Sequence, residues 1–370
     1  MKLRILVVCL VLVLLVLVVL VGLHREKSGL SRLLFRKPGR VPGVLAEPGR
    51  GGTILDRNGA VLAKDSARSE TGVQNAEPGG RLERVYPLGE TAANLVGFIS
   101  TETQNGAAGL ELGMDSALSR HWDRPLRVTI DAVLQRAVFQ MLQHYVSSTR
   151  TARASAVVML SATSEILALA DYPGYDPTRA RMYPAEVWRC HPATDEFAPR
   201  PVVGDWWLNT EGGRQVAKEL GLGRPTGIGL PDETAGVLAD SLPATRVSLL
   251  QLAQAYSAIA DGGRVNRPRL VAQTGKTQVT DHEQSIERTF AAQCLASMTR
   301  DAEGGVEFLG VGGNAGPDSL SPVLVFVGVF PADGPKFAVA VMLDRPLAGY
   351  YTPETARVLF EDIARYVSGQ

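Results

Sequence analysis

The segment Val323-Leu-Val-Phe-Val-Gly-Val-Phe-Pro-Ala-Asp-Gly-Pro-Lys-Phe-Ala-Val-Ala-Val-Met-Leu343 decides the fold class. Two apolar runs, Val323 to Phe330 and Phe337 to Leu343, flank the turn-forming stretch Pro331-Ala-Asp-Gly-Pro335. An apolar run of this length that is bounded by Pro and Gly is typical of a buried strand. The segment therefore predicts two consecutive strands late in the chain, joined as a hairpin.

Helical patterns and further strand patterns fill the rest of the chain. Asp131 to Tyr145 begins with an acidic residue and carries apolar residues three or four positions apart, which predicts a helix. Val247 to Ala260 is similarly periodic and is closed by Asp261-Gly-Gly263. The other predicted elements are a hairpin at Ile54 to Ala63 with an Asn-Gly turn, short helices at Thr91 to Ile99 and Leu110 to Leu118, paired strands at Ala154 to Leu160 and Glu165 to Ala170, and a terminal helix at Thr355 to Val367. Together these elements predict an α+β fold in which helices cover an antiparallel sheet.

The composition excludes several classes of protein. The 370 residues suffice for one large domain or two modest ones, and 45% of them are hydrophobic. Lys+Arg and Asp+Glu are equal at 38 each, so no net charge directs the chain towards nucleic acid. Cys9, Cys190 and Cys294 are too few for a disulfide framework. Cys190-His191 is an isolated pair rather than a metal-binding pattern, so neither a metal nor another cofactor is expected.

Ile5 to Leu23 is an uncharged apolar run of 19 residues. At 1.5 Å per residue this run spans the hydrocarbon core of a bilayer, which is about 30 Å thick. A cleaved signal peptide would end in small residues, whereas His24-Arg-Glu-Lys27 follows here. We therefore expect an uncleaved single-pass anchor in residues 1–23, followed by a basic, Pro/Gly-rich tether in 24–48. More basic residues follow the run than precede it, which by charge counting alone favours a cytoplasmic main domain, although long domains can cross regardless of charge.

Three motifs follow the tether. They are Arg50-Gly-Gly-Thr-Ile-Leu-Asp-Arg-Asn-Gly59, Arg84-Val-Tyr-Pro-Leu-Gly89 and Gly106-Ala-Ala-Gly-Leu-Glu111. In this order they resemble the R-G-x-I-x-D-R-x-G, R-x-Y-P-x-G and G-x-x-G-x-E motifs in the membrane-proximal pedestal of class B penicillin-binding proteins. By this resemblance, residues 49–125 form a shortened pedestal domain.

The resemblance to class B penicillin-binding proteins continues to the C-terminus. The stretches that carry it are Thr129-Ile-Asp131 with Leu134-Gln135, Glu165-Ile-Leu-Ala-Leu-Ala170 with Tyr175-Asp-Pro177, Leu222-Gly-Arg-Pro-Thr-Gly-Ile-Gly-Leu-Pro231 with Glu233 and Gly236, Thr245-Arg-Val-Ser-Leu-Leu-Gln-Leu-Ala253 with Ala260-Asp-Gly-Gly263, and Phe326-Val-Gly-Val-Phe-Pro-Ala-Asp333. They imply that residues 126–370 form a penicillin-binding, transpeptidase-like domain. The activity of this family is peptidoglycan D,D-transpeptidation, an acyl transfer.

The nucleophile that this family uses is missing. Its members acylate a serine one helical turn before a lysine, S-x-x-K, so that both side chains share one helix face. None of the seven lysines of this chain has a serine three residues before it. The expected place of the motif reads Asp195-Glu-Phe-Ala-Pro-Arg-Pro-Val-Val203, and Pro199 and Pro201 cannot both lie in a helix interior. We therefore expect this helix to be lost or remade.

The two other catalytic motifs of the family are missing as well. No Asn has Ser two residues before it, so S-x-N is absent, and Leu208-Asn-Thr210 is only a remnant. The K-T-G motif, which supplies a cation for the substrate carboxylate and helps to form the oxyanion site, is replaced by Gly310-Val-Gly-Gly-Asn-Ala315. Val311 stands in place of the lysine and Gly312 in place of the threonine. The sequence thus predicts no catalytic, cofactor-binding or metal-binding residue.

Other candidate features have simpler interpretations. Gly275-Lys-Thr277 lacks the first glycine of a phosphate-binding loop, and a polar turn is expected. Gly310 to Ala315 fits a dinucleotide fingerprint, but Pro317 and Pro322 interrupt the helix that should follow, so a turn is expected. The acids Asp171, Asp176, Glu196 and Asp205 are expected in solvated loops, and Trp188, Trp206 and Trp207 either fill the emptied cleft or pack in the core.

The resemblance and the missing motifs together predict a penicillin-binding-protein-like pseudoenzyme. It would serve peptidoglycan synthesis, in division or elongation, as a scaffold or regulator at the bacterial inner membrane, with its C-terminal domain outside the cytoplasm. By resemblance, its partners would be a membrane glycosyltransferase of the shape, elongation, division and sporulation type and other wall-synthesis proteins, with peptidoglycan stem peptides as a further candidate ligand. An active transpeptidase with a relocated nucleophile and a decaying gene copy without function are the alternatives.

Overall fold

The computed structural model of the protein describes residues 52–67, 82–120, 124–203, 211–272, 284–302, 305–316, 322–347, 352 and 354–369. The predicted anchor, the tether and the segment around Gly275 lie outside these residues. Within the described ranges, no helix is both long and apolar enough to cross a membrane.

The larger part of the structure is built on a six-stranded antiparallel sheet. Its strands, in spatial order, are β6 (Ile166–Tyr172), β5 (Arg153–Leu160), β12 (Phe337–Asp344), β11 (Val323–Phe330), β10 (Phe308–Asn314) and β9 (Thr299–Asp301). The late hairpin is confirmed, because β11 and β12 pair along their whole length from Val323 opposite Asp344 to Phe330 opposite Phe337.

Helices cover both faces of this sheet. The helices α4 (Ala132–Thr149) and α10 (Thr355–Ser368) pack on one face, and α8 (Leu249–Ala260) packs on the other. Alternate residues of β12 therefore enter two different cores: Val339 and Val341 join one, Ala338 and Ala340 the other. Because both faces are buried, the central strands read as continuous apolar runs rather than as alternating patterns. The predicted α+β architecture, an antiparallel sheet covered by helices, is confirmed.

Local signals fix the ends of the two best-predicted helices. The Asp131 carboxylate accepts hydrogen bonds from the backbone N–H groups of Val133 and Leu134 and so caps α4. Ser248 and Gln251 form a reciprocal capping box at the start of α8. Such caps contribute about 1 kcal/mol each to the stability of a helix. At the other end of α8, Gly262 lies at φ 67°, a left-handed conformation that ends the helix.

The N-terminal region forms a smaller sheet with three short helices. The sheet consists, in spatial order, of β3 (Leu82–Val85), β2 (Val61–Ala67), β1 (Ile54–Leu55) and β4 (Leu126–Arg127), and the helices are α1 (Ala93–Val96), α2 (Gly109–Gly113) and α3 (Asp115–Arg120). The predicted hairpin of β1 and β2 is confirmed. The first predicted helix is only four residues long because Gly97, at φ 76°, ends it against the Ala108 carbonyl, where a Cβ atom would not fit. The second is divided between α2 and α3.

Short elements connect β6 to β9. They are 3-10 turns at Pro177–Met182, Ala185–Trp188 and Leu242–Ala244, the helices α5 (His191–Thr194), α6 (residues 200–203), α7 (Glu211–Glu219) and α9 (Arg288–Ser297), and the strands β7 (Arg264–Val265) and β8 (Gln284–Ser285). This part of the chain places α6 beside the sheet, where the resemblance expects the catalytic serine. The predicted boundary between residues 125 and 126 stays a prediction.

Candidate active site

The helix α6 starts where the family's nucleophile is expected. The N–H groups of Val202 and Val203 both donate to the Pro199 carbonyl, at 2.9 and 3.1 Å, which makes the first turn of a helix. The expectation here is a lost or remade helix, and residues 200–203 are helical, which agrees with a remade helix start. Pro199 and Pro201 lie at the N-terminus of the helix, where a backbone N–H has no intrahelical acceptor and proline is tolerated.

Pro201 faces the strand that replaces the third catalytic motif. A Cβ atom on Gly313 of β10 would lie 2.9 Å from the Cβ atom of Pro201. The segments where the resemblance expects the first and third motifs are therefore neighbours in the fold. The pyrrolidine ring of Pro201 there meets Gly313, which has no side chain. Residues 195–210 contain neither a serine nor a lysine.

Other residues of β10 pack against neighbouring side chains. Val311, at the position of the family's lysine, packs at the edge of the core that contains α8. A Cβ atom on Gly310 would lie 2.2 Å from Cζ of Phe326, so the aromatic ring occupies the space that a side chain would need. The expectation of a turn at Gly310 to Ala315 is wrong, because residues 309–314 pair with β11 in continuous register.

Tyr256 connects α8 to α6. Its Oη atom donates a hydrogen bond to the Val202 carbonyl, and the ring is buried among core residues. Burial raises the pKa of the Tyr256 phenol far above its usual value, so the group remains a neutral donor. Tyr256 therefore fixes the start of α6 but does not supply a nucleophile.

The described thiols are also unsuited to nucleophilic attack. Burial raises the pKa of Cys294 to about 12. Burial, together with the negative charge of Asp171, raises the pKa of the Cys190 thiol well above its usual value. A thiol attacks as the thiolate, so both groups are almost wholly in the unreactive form at neutral pH. No disulfide joins them.

Ser155, Asp171 and His191 come together, but not as a catalytic triad. The Ser155 hydroxyl donates to Asp171 Oδ1 at 2.7 Å, and the Asp171 Oδ2 atom lies 3.8 Å from His191 Nε2. In a triad the histidine stands between the serine and the acid, whereas here the acid stands between the other two. Ser155 is fully buried, and burial raises the pKa of Asp171. The expectation that Asp171 lies in a solvated loop is wrong, because it lies on the covered strand β6.

An ion-pair network surrounds this trio and joins α5 to the sheet. The Arg153 Nη2 atom lies 2.9 Å from carboxylate oxygens of both Asp195 and Asp344, and His191 Nδ1 lies 3.0 Å from Asp195 Oδ2. Within the residues that the structure describes, no cluster of His, Cys, Asp and Glu could hold a metal ion. We assign the network a structural role.

The described ones among the remaining acids and tryptophans lie apart from the contact between Pro201 and Gly313. Asp176 caps the 3-10 turn that follows it by accepting from the Thr178 N–H, and Glu196 accepts from the Thr234 hydroxyl. Trp188 packs edge-on against Phe98, with ring centroids 5.0 Å apart, rather than in the cleft beside α6. Asp205, Trp206, Trp207 and the Asn209 remnant lie outside the described residues.

Comparisons with known proteins agree with this fold. Residues 207–365 match the penicillin-binding protein transpeptidase domain. The chain is 24% identical over 377 residues to peptidoglycan D,D-transpeptidase FtsI of Escherichia coli, covering 72% of this chain and 64% of the relative. It is 24% identical over 393 residues to the probable transpeptidase PenA of Neisseria gonorrhoeae, covering 76% of this chain and 68% of the relative.

The similarity extends to solved structures. The crystal structure of penicillin-binding protein 3 from Mycobacterium tuberculosis with aztreonam matches with a TM-score of 0.72 and 21% identity, over 87% of this chain and 96% of that one. Fold and family match together define a penicillin-binding protein transpeptidase domain. The chain is homologous to the class B penicillin-binding proteins FtsI and PenA. It spans 64% of the length of FtsI, which is less than two thirds.

Proposed function

We propose that this chain is a catalytically inert class B penicillin-binding protein that acts in peptidoglycan synthesis as a scaffold or regulator. The observation that carries the proposal is the contact between Pro201 and Gly313. These residues lie in the two segments, 195–203 and 310–315, where the resemblance expects the nucleophile and the substrate-binding strand. Acyl transfer needs a hydroxyl, a base for its proton and donors for the oxyanion. The two residues in contact supply neither the hydroxyl nor the base.

The N-terminal region supports an interaction role, because buried polar contacts join its three motifs. Arg84 Nε lies 2.8 Å from Glu111 Oε1, and its Nη2 donates to the Gly52 carbonyl at 2.9 Å. Tyr86 Oη accepts a hydrogen bond from the Ile99 N–H at 3.0 Å. These contacts connect the three pedestal motifs with each other. The chain has thus retained the framework that presents the pedestal surface while it has lost the catalytic side chains.

Location and partners follow from the same proposal. The uncharged run from Ile5 to Leu23 would anchor the chain in the inner membrane, with the C-terminal domain on the extracytoplasmic side. A membrane glycosyltransferase and other wall-synthesis proteins are the proposed partners, in cell division or in elongation that determines cell shape. Peptidoglycan stem peptides are a further proposed ligand.

An active enzyme with a relocated nucleophile is the second candidate. Against it, the described residues include no contact between a lysine ammonium and a serine or threonine hydroxyl. The hydroxyls of Ser155, Ser164 and Ser257 are buried and bonded to neighbouring oxygens. Labelling of the full-length chain with a fluorescent penicillin separates the two candidates.

The expected result of this labelling is no covalent band, in a gel where an active class B protein labels under the same conditions. Intact-mass analysis of the treated chain should show the unmodified mass. A penicillin adduct that forms on the native chain, but not on a chain denatured by heat before penicillin is added, would establish a folded acylation site. That result would overturn the inert assignment. Peptide mapping would then identify the nucleophile.

A further inference from the structure

The buried histidine of α5, His191, stands between two carboxylates. Only 8% of the residue is exposed. Its ring Nδ1 atom lies 3.0 Å from Oδ2 of Asp195, which ends α5, and its Nε2 atom lies 3.8 Å from Oδ2 of Asp171 on β6. The backbone N–H of His191 also donates to Asp171 Oδ2, at 3.3 Å. His191 therefore connects α5 to the edge strand of the large sheet.

Asp171 depends on this histidine for a compensating charge. Its side chain is only 1% exposed, and among the described residues no other basic side chain lies within 4 Å of its carboxylate. The Ser155 hydroxyl and the His191 N–H supply hydrogen bonds, but both donors are neutral. Burial raises the pKa of Asp171, and the positive charge of His191 is the largest influence in the opposite direction. Because a buried carboxylate without a paired cation is unfavourable, the charge of the imidazole stabilises this contact.

Arg153 of β5 faces the same ring and opposes its protonation. Its Nη1 atom lies 2.5 Å from Nδ1 and 3.1 Å from Nε2 of His191. Its Nη2 atom lies 2.9 Å from carboxylate oxygens of both Asp195 and Asp344, so these two acids already compensate the guanidinium charge. The Asp171 carboxylate is therefore left to His191.

The other charged or titratable groups around α5 are exposed or neutral. Arg189 pairs with Asp195 at 3.5 Å and Arg345 pairs with Asp344 at 3.4 Å, but their side chains are 43% and 63% exposed, so solvent screens them. The Cys190 thiol is neutral, because burial and a neighbouring carboxylate raise its pKa. The helix α8 packs on α5 and contains no charged residue. Three carboxylates thus face one buried guanidinium, and an imidazolium reduces this excess of negative charge.

We propose that His191 and Asp171 form a pH-sensitive latch that holds α5 on the sheet while the imidazole is protonated. Histidine changes its charge between about pH 5 and 8. In the protonated state the imidazolium pairs with Asp171 and Asp195. When the pH rises, His191 releases its proton to the solvent and the buried Asp171 carboxylate loses its nearest cation. The attachment of α5 to the sheet then weakens.

The latch acts on the segment that leads into α6. The Ala193 carbonyl of α5 accepts a hydrogen bond from the Thr234 N–H at 3.0 Å, and Phe197 and Val247 exchange two backbone hydrogen bonds of 3.0 Å. The helix α6 follows at residues 200–203. Release of α5 therefore loosens the support of α6, and the packing of α6 beside β10 becomes sensitive to pH.

Histidine NMR of the full-length chain in detergent micelles tests the pairing. With ¹³C-labelled imidazole rings, the Cε1–Hε1 signals of the five histidines report the charge of each ring from pH 5 to 8.5, and His191→Gln identifies the signal of His191. In Asp171→Asn, which removes the negative charge and keeps the side-chain size, the midpoint of the His191 transition should fall by about one pH unit. The exposed His144 should keep its midpoint and is the internal control. A His191 ring that does not change its charge in this range, or a midpoint that is equal in both chains, would overturn the proposal.

Amide hydrogen exchange measures the latch itself. After correction for the intrinsic effect of pH, the amides of Ala193, Thr194 and Asp195 should exchange about fivefold faster at pH 8 than at pH 6, because local opening becomes more favourable. In Asp171→Asn this dependence should disappear, and α8 should show none in either chain. Exchange in α5 that is independent of pH or slower at pH 8, or the same dependence in Asp171→Asn, would contradict the latch. Penicillin labelling tests a separate property, so this proposal and the proposed function can fail separately.

Discussion

Pro201 and Gly313 are in direct van der Waals range, because a Cβ atom placed on Gly313 would stand 2.9 Å from that of Pro201. The helix α6 and the strand β10 therefore pack against each other with no side chain between them. A larger residue at either position would have to displace its neighbour. The interface between α6 and β10 is therefore a close packing contact.

Gly313→Ala should destabilise the protein because the added methyl group overlaps the proline ring. Overpacking of this kind costs about 1–3 kcal/mol. Urea denaturation of the variant and the parent chain measures the difference. Gly212→Ala is the matched control: Gly212 is helical and has open space around its Cβ position, so the change should be neutral or stabilise by about 0.5–1 kcal/mol.

A double-mutant cycle tests whether the destabilisation by Gly313→Ala arises from the contact with Pro201. Pro201→Gly removes the Cβ atom that the new methyl group would meet, so Gly313→Ala should cost less in that background than in the parent chain. If the cost of Gly313→Ala is the same in both backgrounds, the strain arises elsewhere on β10 and the contact has been misassigned.

Tyr256→Phe should loosen the start of α6. The substitution removes the phenolic donor to the Val202 carbonyl and leaves a buried acceptor unsatisfied, which costs about 1–3 kcal/mol. Amide hydrogen exchange at residues 202 and 203 should become faster than in the parent chain. Tyr366→Phe on α10 is the control, since no hydrogen bond involves its hydroxyl within the described residues. Unchanged exchange at α6 in Tyr256→Phe would contradict the role of this bond.

The elements that could be predicted from sequence are those with local signals. Each of these signals lies within a few residues of the structure that it specifies. They are the cap at Asp131, the capping box formed by Ser248 and Gln251, and the continuous apolar runs of β11 and β12. The sheet and its principal helices follow from such signals, and the motif order supplies the family.

The features that were missed depend on residues far apart in the chain. The prolines of α6 suggested a lost or remade helix, because the sequence alone does not show that they stand at a helix N-terminus. The glycine-rich stretch from Gly310 suggested a turn. The ring of Phe326 that occupies the space beside Gly310 belongs to another strand, so the local sequence does not show this packing. A cavity of about 290 Å³ is lined by segments near residues 94, 110, 188 and 232, which are far apart in the chain, so no sequence window contains it.

Arg84 and Glu111 form a buried ion pair that should be important for stability. Their side chains are only 9% and 1% exposed, and Arg84 also contacts Asp65 at 3.1 Å. Glu111→Gln leaves the guanidinium with one fewer counter-charge in a buried site, which should cost about 3 kcal/mol. Thermal or urea unfolding measures the loss, and Arg181→Gln, which breaks an exposed pair with Glu102, should cost less than about 1 kcal/mol. Equal losses of unfolding free energy in Glu111→Gln and Arg181→Gln would show that the buried pair contributes no more to stability than the exposed pair.

Asp195 should make the stability of the fold depend on pH below about 4. Burial opposes ionisation of this carboxyl, but the hydrogen bond from His191 and the charges of His191, Arg153 and Arg189 outweigh it and lower its pKa below the usual 3.8. The unfolded chain then binds its proton at a higher pH than the folded chain does. The stabilisation is therefore fully present above pH 3.8 and is lost as the pH falls through the lower, folded-state pKa.

The variant Asp195→Asn removes this titration while it keeps the size of the side chain. In urea denaturation between pH 3 and 7, the parent chain should exceed the variant in unfolding free energy at neutral pH, and the difference should shrink as the solution becomes acidic. The direction is opposite to that for Asp171, whose pKa is raised by burial and whose ionisation therefore opposes folding as the pH rises. A difference between parent and Asp195→Asn that stays constant across the acidic range would show that the folded network does not favour the ionised carboxylate.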